Sequence, residues 1–113
     1  MVTNDGLPYG IIDPDYAAFF TVARLVGWSY GYAIAMHGSF TRDLDLIAVP
    51  WTEQAQEANR VLRNIESRTG WKRLKEEGSS HPHGRLVWTL TSQKFECPRF
   101  VDLGFMPRAA GVK

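Results

Sequence analysis

Gly38-Ser39-Phe40-Thr41-Arg42-Asp43-Leu44-Asp45-Leu46-Ile47-Ala48-Val49-Pro50 is the stretch on which the reading of this chain turns. It follows Tyr32-Ala33-Ile34-Ala35-Met36-His37, apolar until its last residue, and the two runs read as β-strands over 32–37 and 43–49. Pro50 ends the second strand by removing a ladder donor. Asp43 and Asp45 stand two apart, so on a strand their carboxylates share one face. Like charges that close need a cation, a proton or an arginine beside them. The Gly38-Ser39 turn adds backbone donors suited to phosphate. Paired carboxylates beside such a turn point to metal-dependent phosphoryl or nucleotidyl chemistry.

Outward from this core, Asp13-Pro14-Asp15 is a helix start: a capping side chain, a proline at the first helical position and an acid favoured by the dipole. Tyr16, Phe19, Phe20, Ala23 and Val26 recur at helical spacing, and Gly27 is the expected stop. Beyond Pro50, Thr52 is expected to cap a second helix with Glu53 in its first turn. Its apolar stripe is Ala55, Ala58, Val61, Leu62 and Ile65, and Gly70 closes it. Trp71 to Leu74 reads as a short strand and Lys75 to Gly84 as a polar loop. Leu86 to Thr91 and Phe100 to Phe105 read as two further strands. The 32–37 and 43–49 runs, almost wholly apolar, are expected to be buried inner strands. The order predicts an α+β fold, a small mixed sheet packed against helices.

With 113 residues the chain is expected to form one domain over 1–113, with a loosely ordered lead-in over 1–12 and tail over 107–113. A formal net charge of +1 gives no general attraction to nucleic acid, so any anion site must be local. The single cysteine, Cys97, forms no internal disulfide, which suits a reducing compartment. No apolar stretch approaches the roughly 20 residues of a membrane span, and the first residues lack the pattern of a signal peptide. A soluble, cytoplasmic protein without a membrane partner is expected.

A metal site built on two strand carboxylates calls for a third acid. Asp102, the lone acid in the apolar run Phe100 to Phe105, is the best candidate if its strand pairs beside Asp43 and Asp45. The plainer alternatives are a solvated strand-edge acid or one with an arginine partner, and Glu96 is second choice as ligand. Gly38 permits close backbone approach, and the Ser39 hydroxyl and amide suit a phosphate oxygen. Arg42 is expected to pair either with phosphate or with Asp43, and Arg85, in His81-Pro82-His83-Gly84-Arg85, is a candidate to reach phosphate from the rim, the plainer reading being an exposed loop of ordinary polar residues. No Cys/His spacing supports zinc, and His37 reads as a hydrogen-bonded core residue. Most of the four tryptophans read as core, with Trp51 or Trp88 near enough to the acids to stack a base.

These motifs resemble the nucleotidyltransferase superfamily with a DNA polymerase β-like palm: a strand, a Gly-Ser turn, a strand carrying Asp-x-Asp, and a third acid on a later strand. The run His37-Gly38-Ser39 through Asp43 to Trp51, with Pro82 to Arg85 and Val101-Asp102-Leu103, is also similar to small phage-encoded proteins of this type. The resemblance implies Mg²⁺ or Mn²⁺ held by catalytic Asp43, Asp45 and Asp102. It implies a nucleoside triphosphate held through Gly38, Ser39, Arg42 and Arg85, with transfer of its nucleotidyl group to an acceptor. In the family a helix usually separates the turn from the acids, whereas here only Phe40, Thr41 and Arg42 intervene. The shortened phosphate cradle leaves two alternatives: a catalytically inactive member that binds a host protein, or a phosphoesterase using the same acids with water as nucleophile.

Overall fold

The Asp13 side chain caps α1 (Pro14–Ser29) by accepting a hydrogen bond from the Asp15 N–H at 2.9 Å. The computed structural model describes residues 13–37, 43–92 and 99–108. After α1 come β1 (Tyr32–His37), β2 (Leu44–Pro50), α2 (Ala58–Thr69), β3 (Lys72–Arg73), β4 (Ser79–Ser80), a 3-10 turn (Pro82–Gly84), β5 (Leu86–Ser92) and β6 (Arg99–Phe105). The fold is α+β: two helices packed with a mixed six-stranded sheet of order β1-β2-β6-β5-β3, with β4 pairing β5. The pair β2–β6 is parallel and all the others are antiparallel. The last strand thus inserts beside the Asp45 strand, as the sequence reading required for Asp102.

The helices supply one apolar layer. Tyr16, Phe19, Ala23 and Val26 from α1, and Val61, Leu62 and Ile65 from α2, meet Tyr32, Ile34, Leu44, Leu46, Ala48, Trp88, Leu90, Val101, Leu103 and Phe105 from the strands. Polar ties pin the layer where β6 begins. Arg99 Nε donates to the capping Asp13 carboxylate at 2.8 Å, and the Phe100 N–H donates to the Tyr16 hydroxyl at 3.1 Å. Two strands over, the Arg73 guanidinium and backbone N–H both reach the Glu66 carboxylate, tying β3 to α2.

Four expectations need correction. Gly27 does not stop α1, which runs on to Ser29 with Tyr30 as its cap. Gly27 is instead a point of close approach, since a Cβ there would lie 2.5 Å from Ile34 Cδ1. Reversal falls to Gly31, at φ +91°. Thr52 does not cap α2, which begins six residues later. Thr52 closes a single turn, because the backbone on either side of it finds partners elsewhere: the Trp51 N–H donates to the Gly31 carbonyl, the Gln56 N–H to the Tyr30 carbonyl, and the Tyr32 hydroxyl to the Gln56 carbonyl. Gly70 does close α2, at φ +80°, with its N–H on the Glu66 carbonyl. The stretch 75–84 is not wholly loop, since it holds β4 and the 3-10 turn. Finally, β1 is an edge strand and neither it nor β2 is buried on both faces. Both helices lie on one side, so alternate residues such as Ala33, Ala35, Ile47 and Val49 face outward.

Candidate active site

That one-sided layering creates an open sheet face, and the acids stand on it. Along β2, Leu44, Leu46 and Ala48 are buried while Asp45 and Ile47 are only partly covered; along β6, Val101 and Leu103 are buried while Asp102 is partly covered. The register then aligns a row across four strands. His37 pairs with Asp45, Asp45 with Asp102, and Asp102 with Thr89. Neighbouring strands lie about 4.8 Å apart, so each side chain in this row adjoins the next. Asp45 and Asp102, 57 positions apart in sequence, become immediate neighbours through the parallel β2–β6 pairing.

The electrostatics follow from that row. Burial raises the Asp45 pKa above the ordinary aspartate value, and the Asp102 carboxylate pushes it further. Asp43 adds to the rise, whereas His37 and Arg85 oppose it. Two carboxylates are thus held together without full compensation from their protein neighbours. The Thr89 hydroxyl donates to Asp102 Oδ1 at 2.5 Å and fixes that carboxylate from the β5 side. Asp43 itself is exposed and sits one residue before β2, rather than within the strand.

Arg85 joins the same face. It immediately precedes β5, and its side chain passes over Gly104 of β6, two residues beyond Asp102. Its charge acts on Asp45. Gly38, Ser39 and Arg42, expected to hold phosphate, lie outside the described residues, as do the second-choice acid Glu96 and Cys97.

His37 is not a core residue. It is exposed beside Asp45, because β1 alternates and Tyr32 and Ile34 are its buried members. Trp88 is buried, with its indole N–H on the Glu76 carbonyl and its ring edge-on to Phe105, and so cannot offer a stacking face to a base. Trp51 is exposed and stacks on Trp28, centroids 4.5 Å apart and planes 13° from parallel. Thr89 went unrecognised in the sequence, where it is one threonine in the alternating run Leu86 to Thr91; only the register to Asp102 exposes its part.

The donor set is all-oxygen, which suits a hard divalent cation. Among the described residues no group of three or more His, Cys, Asp or Glu side chains is placed to hold a metal ion. A paired carboxylate still fits magnesium, which is commonly bound through one or two carboxylates together with substrate phosphates and water. No protein-family model matches the chain, and a search of curated proteins finds no significant relative. No helix among the described residues is long and apolar enough to cross a membrane.

Proposed function

We propose that the chain is a minimal nucleotidyltransferase-like protein with a DNA polymerase β-like palm, using its open sheet face for metal-dependent transfer of a nucleotidyl group from a nucleoside triphosphate. The observation that carries this reading is the side-by-side pairing of Asp45 and Asp102 on parallel strands, both on the face free of helices. Asp45 and Asp102 would hold Mg²⁺ or Mn²⁺ together with substrate phosphates and water, and Asp43, exposed at the mouth of β2, would add negative charge without completing a three-acid set. When bound, the metal polarises phosphoryl oxygens and offsets the charge that builds on them during transfer. Thr89 keeps the Asp102 carboxylate oriented. Arg85 meets phosphate oxygens from the β5 side, with Gly38, Ser39 and Arg42 the further phosphate-holding residues. The acceptor is a hydroxyl of a protein, an RNA end or a small molecule.

The test is calorimetric titration of the full chain with each ribonucleoside triphosphate in Mg²⁺, repeated on Asp45→Asn and Asp102→Asn. Metal-dependent binding that both variants lose supports the reading. Equal binding by all three proteins rules it out.

A second reading, a catalytically silent member of the same fold that binds a host protein, rests on a separate observation. Trp28 and Trp51, 58% and 54% exposed, present a stacked aromatic pair to solvent, and aromatic anchors of this kind are over-represented at interfaces. It predicts a partner whose capture is lost in Trp28→Ala and Trp51→Ala but kept in Asp45→Asn. Capture that ignores the tryptophans sinks it.

A further inference from the structure

Gly104 is buried, yet its place in β6 aims a side chain, if it had one, at the open face. Val101, Leu103 and Phe105 point into the core, so Asp102 and Gly104 share the opposite side. Among the described residues no helix covers that side, and the atoms nearest Gly104 there belong to two residues of the β5 region. A Cβ added at Gly104 would lie 3.1 Å from Arg85 Cδ, 3.4 Å from Arg85 Cγ and 3.3 Å from Val87 Cγ2. The aliphatic stem of Arg85 therefore lies across β6 against Gly104, close enough that a side chain at 104 would have to push it aside. Val87 is the register partner of Gly104 on β5, and Ile47 is its partner on β2. The Arg85 side chain thus runs from the start of β5 across β6, the strand next to the one that carries Asp45.

Arg73 is tied to Glu66, and Arg99 to Asp13 and Asp15. Among the described residues no carboxylate stands within 4.0 Å of the Arg85 guanidinium. A planar cation with an anchored stem and an unpaired head, beside two acids that favour a divalent cation, is arranged to meet a multiply charged anion.

We propose that Gly104 is a positioning residue for Arg85: the missing side chain leaves a slot across β6 that lays the arginine flat and directs its guanidinium to the phosphates of a substrate held at Asp45 and Asp102. This rests on the proposed phosphoryl chemistry of the open face and adds a residue and a contact to it. The substrate class is a polyphosphate anion delivered with its divalent cation. Arg85 contributes charge at a fixed angle, and Gly104 contributes only the room to do so.

A double-mutant cycle tests this, reading the binding of MgATP, MgGTP, MgCTP and MgUTP in turn to the full chain, with thermal melts to confirm folding. Losing a charge-assisted contact, Arg85→Ala should weaken binding about 20-fold, and Gly104→Ala about fivefold by lifting the arginine. The decisive arm is Arg85→Ala/Gly104→Ala, which should bind as Arg85→Ala alone. If Gly104→Ala costs the same with or without Arg85, or costs nothing in the wild-type background, the positioning role is overturned while the acid site stands. If the wild type binds none of the four, the reading of the face falls and this inference with it. If Gly104→Ala melts too low to assay, Val87→Ala added to it restores room beside the new methyl, and the same cycle is read in that background.

Discussion

The two faces of this sheet obey opposite rules. On the helix side, the four long strands β1, β2, β5 and β6 contribute Leu, Val, Ile, Tyr, Phe, Trp or Ala to one continuous apolar layer. On the other side the same strands carry His37, Asp45, Asp102 and Thr89 in a single row, with Arg85 laid over Gly104. The first face lowers its free energy by leaving water. The second partly buries Asp45 and sets it beside Asp102, and both the burial and the neighbouring charge raise the Asp45 pKa, an arrangement unfavourable to folding. A cost of that kind on an otherwise ordinary small domain marks the place where chemistry is to be sought.

Substitutions can break this contrast. Leu103→Ala removes a fully buried side chain adjacent to Asp102 on the same strand. It should cost about 3 kcal/mol by chemical denaturation, and a loss below about 1 kcal/mol would mean that the apolar layer is looser than described. Asp13→Ala removes both the cap of α1 and the carboxylate that receives Arg99. A loss of about 1–2 kcal/mol is expected, a cap being worth about 1 kcal/mol.

Asp45→Asn should act in the other direction and by less. The folded-state pKa of Asp45 lies above its unfolded value of about 3.9, so the native state binds the proton more tightly. In the wild type, stability therefore falls as pH rises from the unfolded value through the raised one, and is regained on acidification. Asp45→Asn should raise the melting temperature at neutral pH and flatten that part of the pH profile. A lower melting temperature at neutral pH would show that the carboxylate is stabilising where it stands. The smallest effect is expected from Ala35→Ser, on the outward face of an edge strand, within about 0.5 kcal/mol of wild type.

The legible parts of the fold were those set locally. Asp13-Pro14, the two strands around 38–42, Gly70 and the late strand of Asp102 all declare themselves through caps, breakers and apolar runs. Thr52 misleads because its neighbours' hydrogen bonds go to Tyr30 and Gly31, a long-range choice that no local cap rule contains. Gly27 misleads because a glycine needed for close approach to Ile34 is indistinguishable in sequence from one that ends a helix. The acid pair was half legible: Asp45 and Asp102 stood out, but their contact depends on β6 entering the sheet next to β2. His37, Thr89 and Gly104 join the site only through register and layering, and a run of apolar or small residues does not say which of its faces a helix will cover.

Calorimetry decides whether the open face binds a metal–polyphosphate through Asp45 and Asp102, as proposed. Calorimetric titration of wild type, Asp45→Asn and Asp102→Asn with each nucleoside triphosphate should show binding by the wild type that requires Mg²⁺ or Mn²⁺. Each substitution should reduce it at least about 100-fold, the magnitude expected when a charged ligand group is lost. Binding indifferent to the metal, or retained when Asp45 and Asp102 are neutralised, would overturn the proposed site.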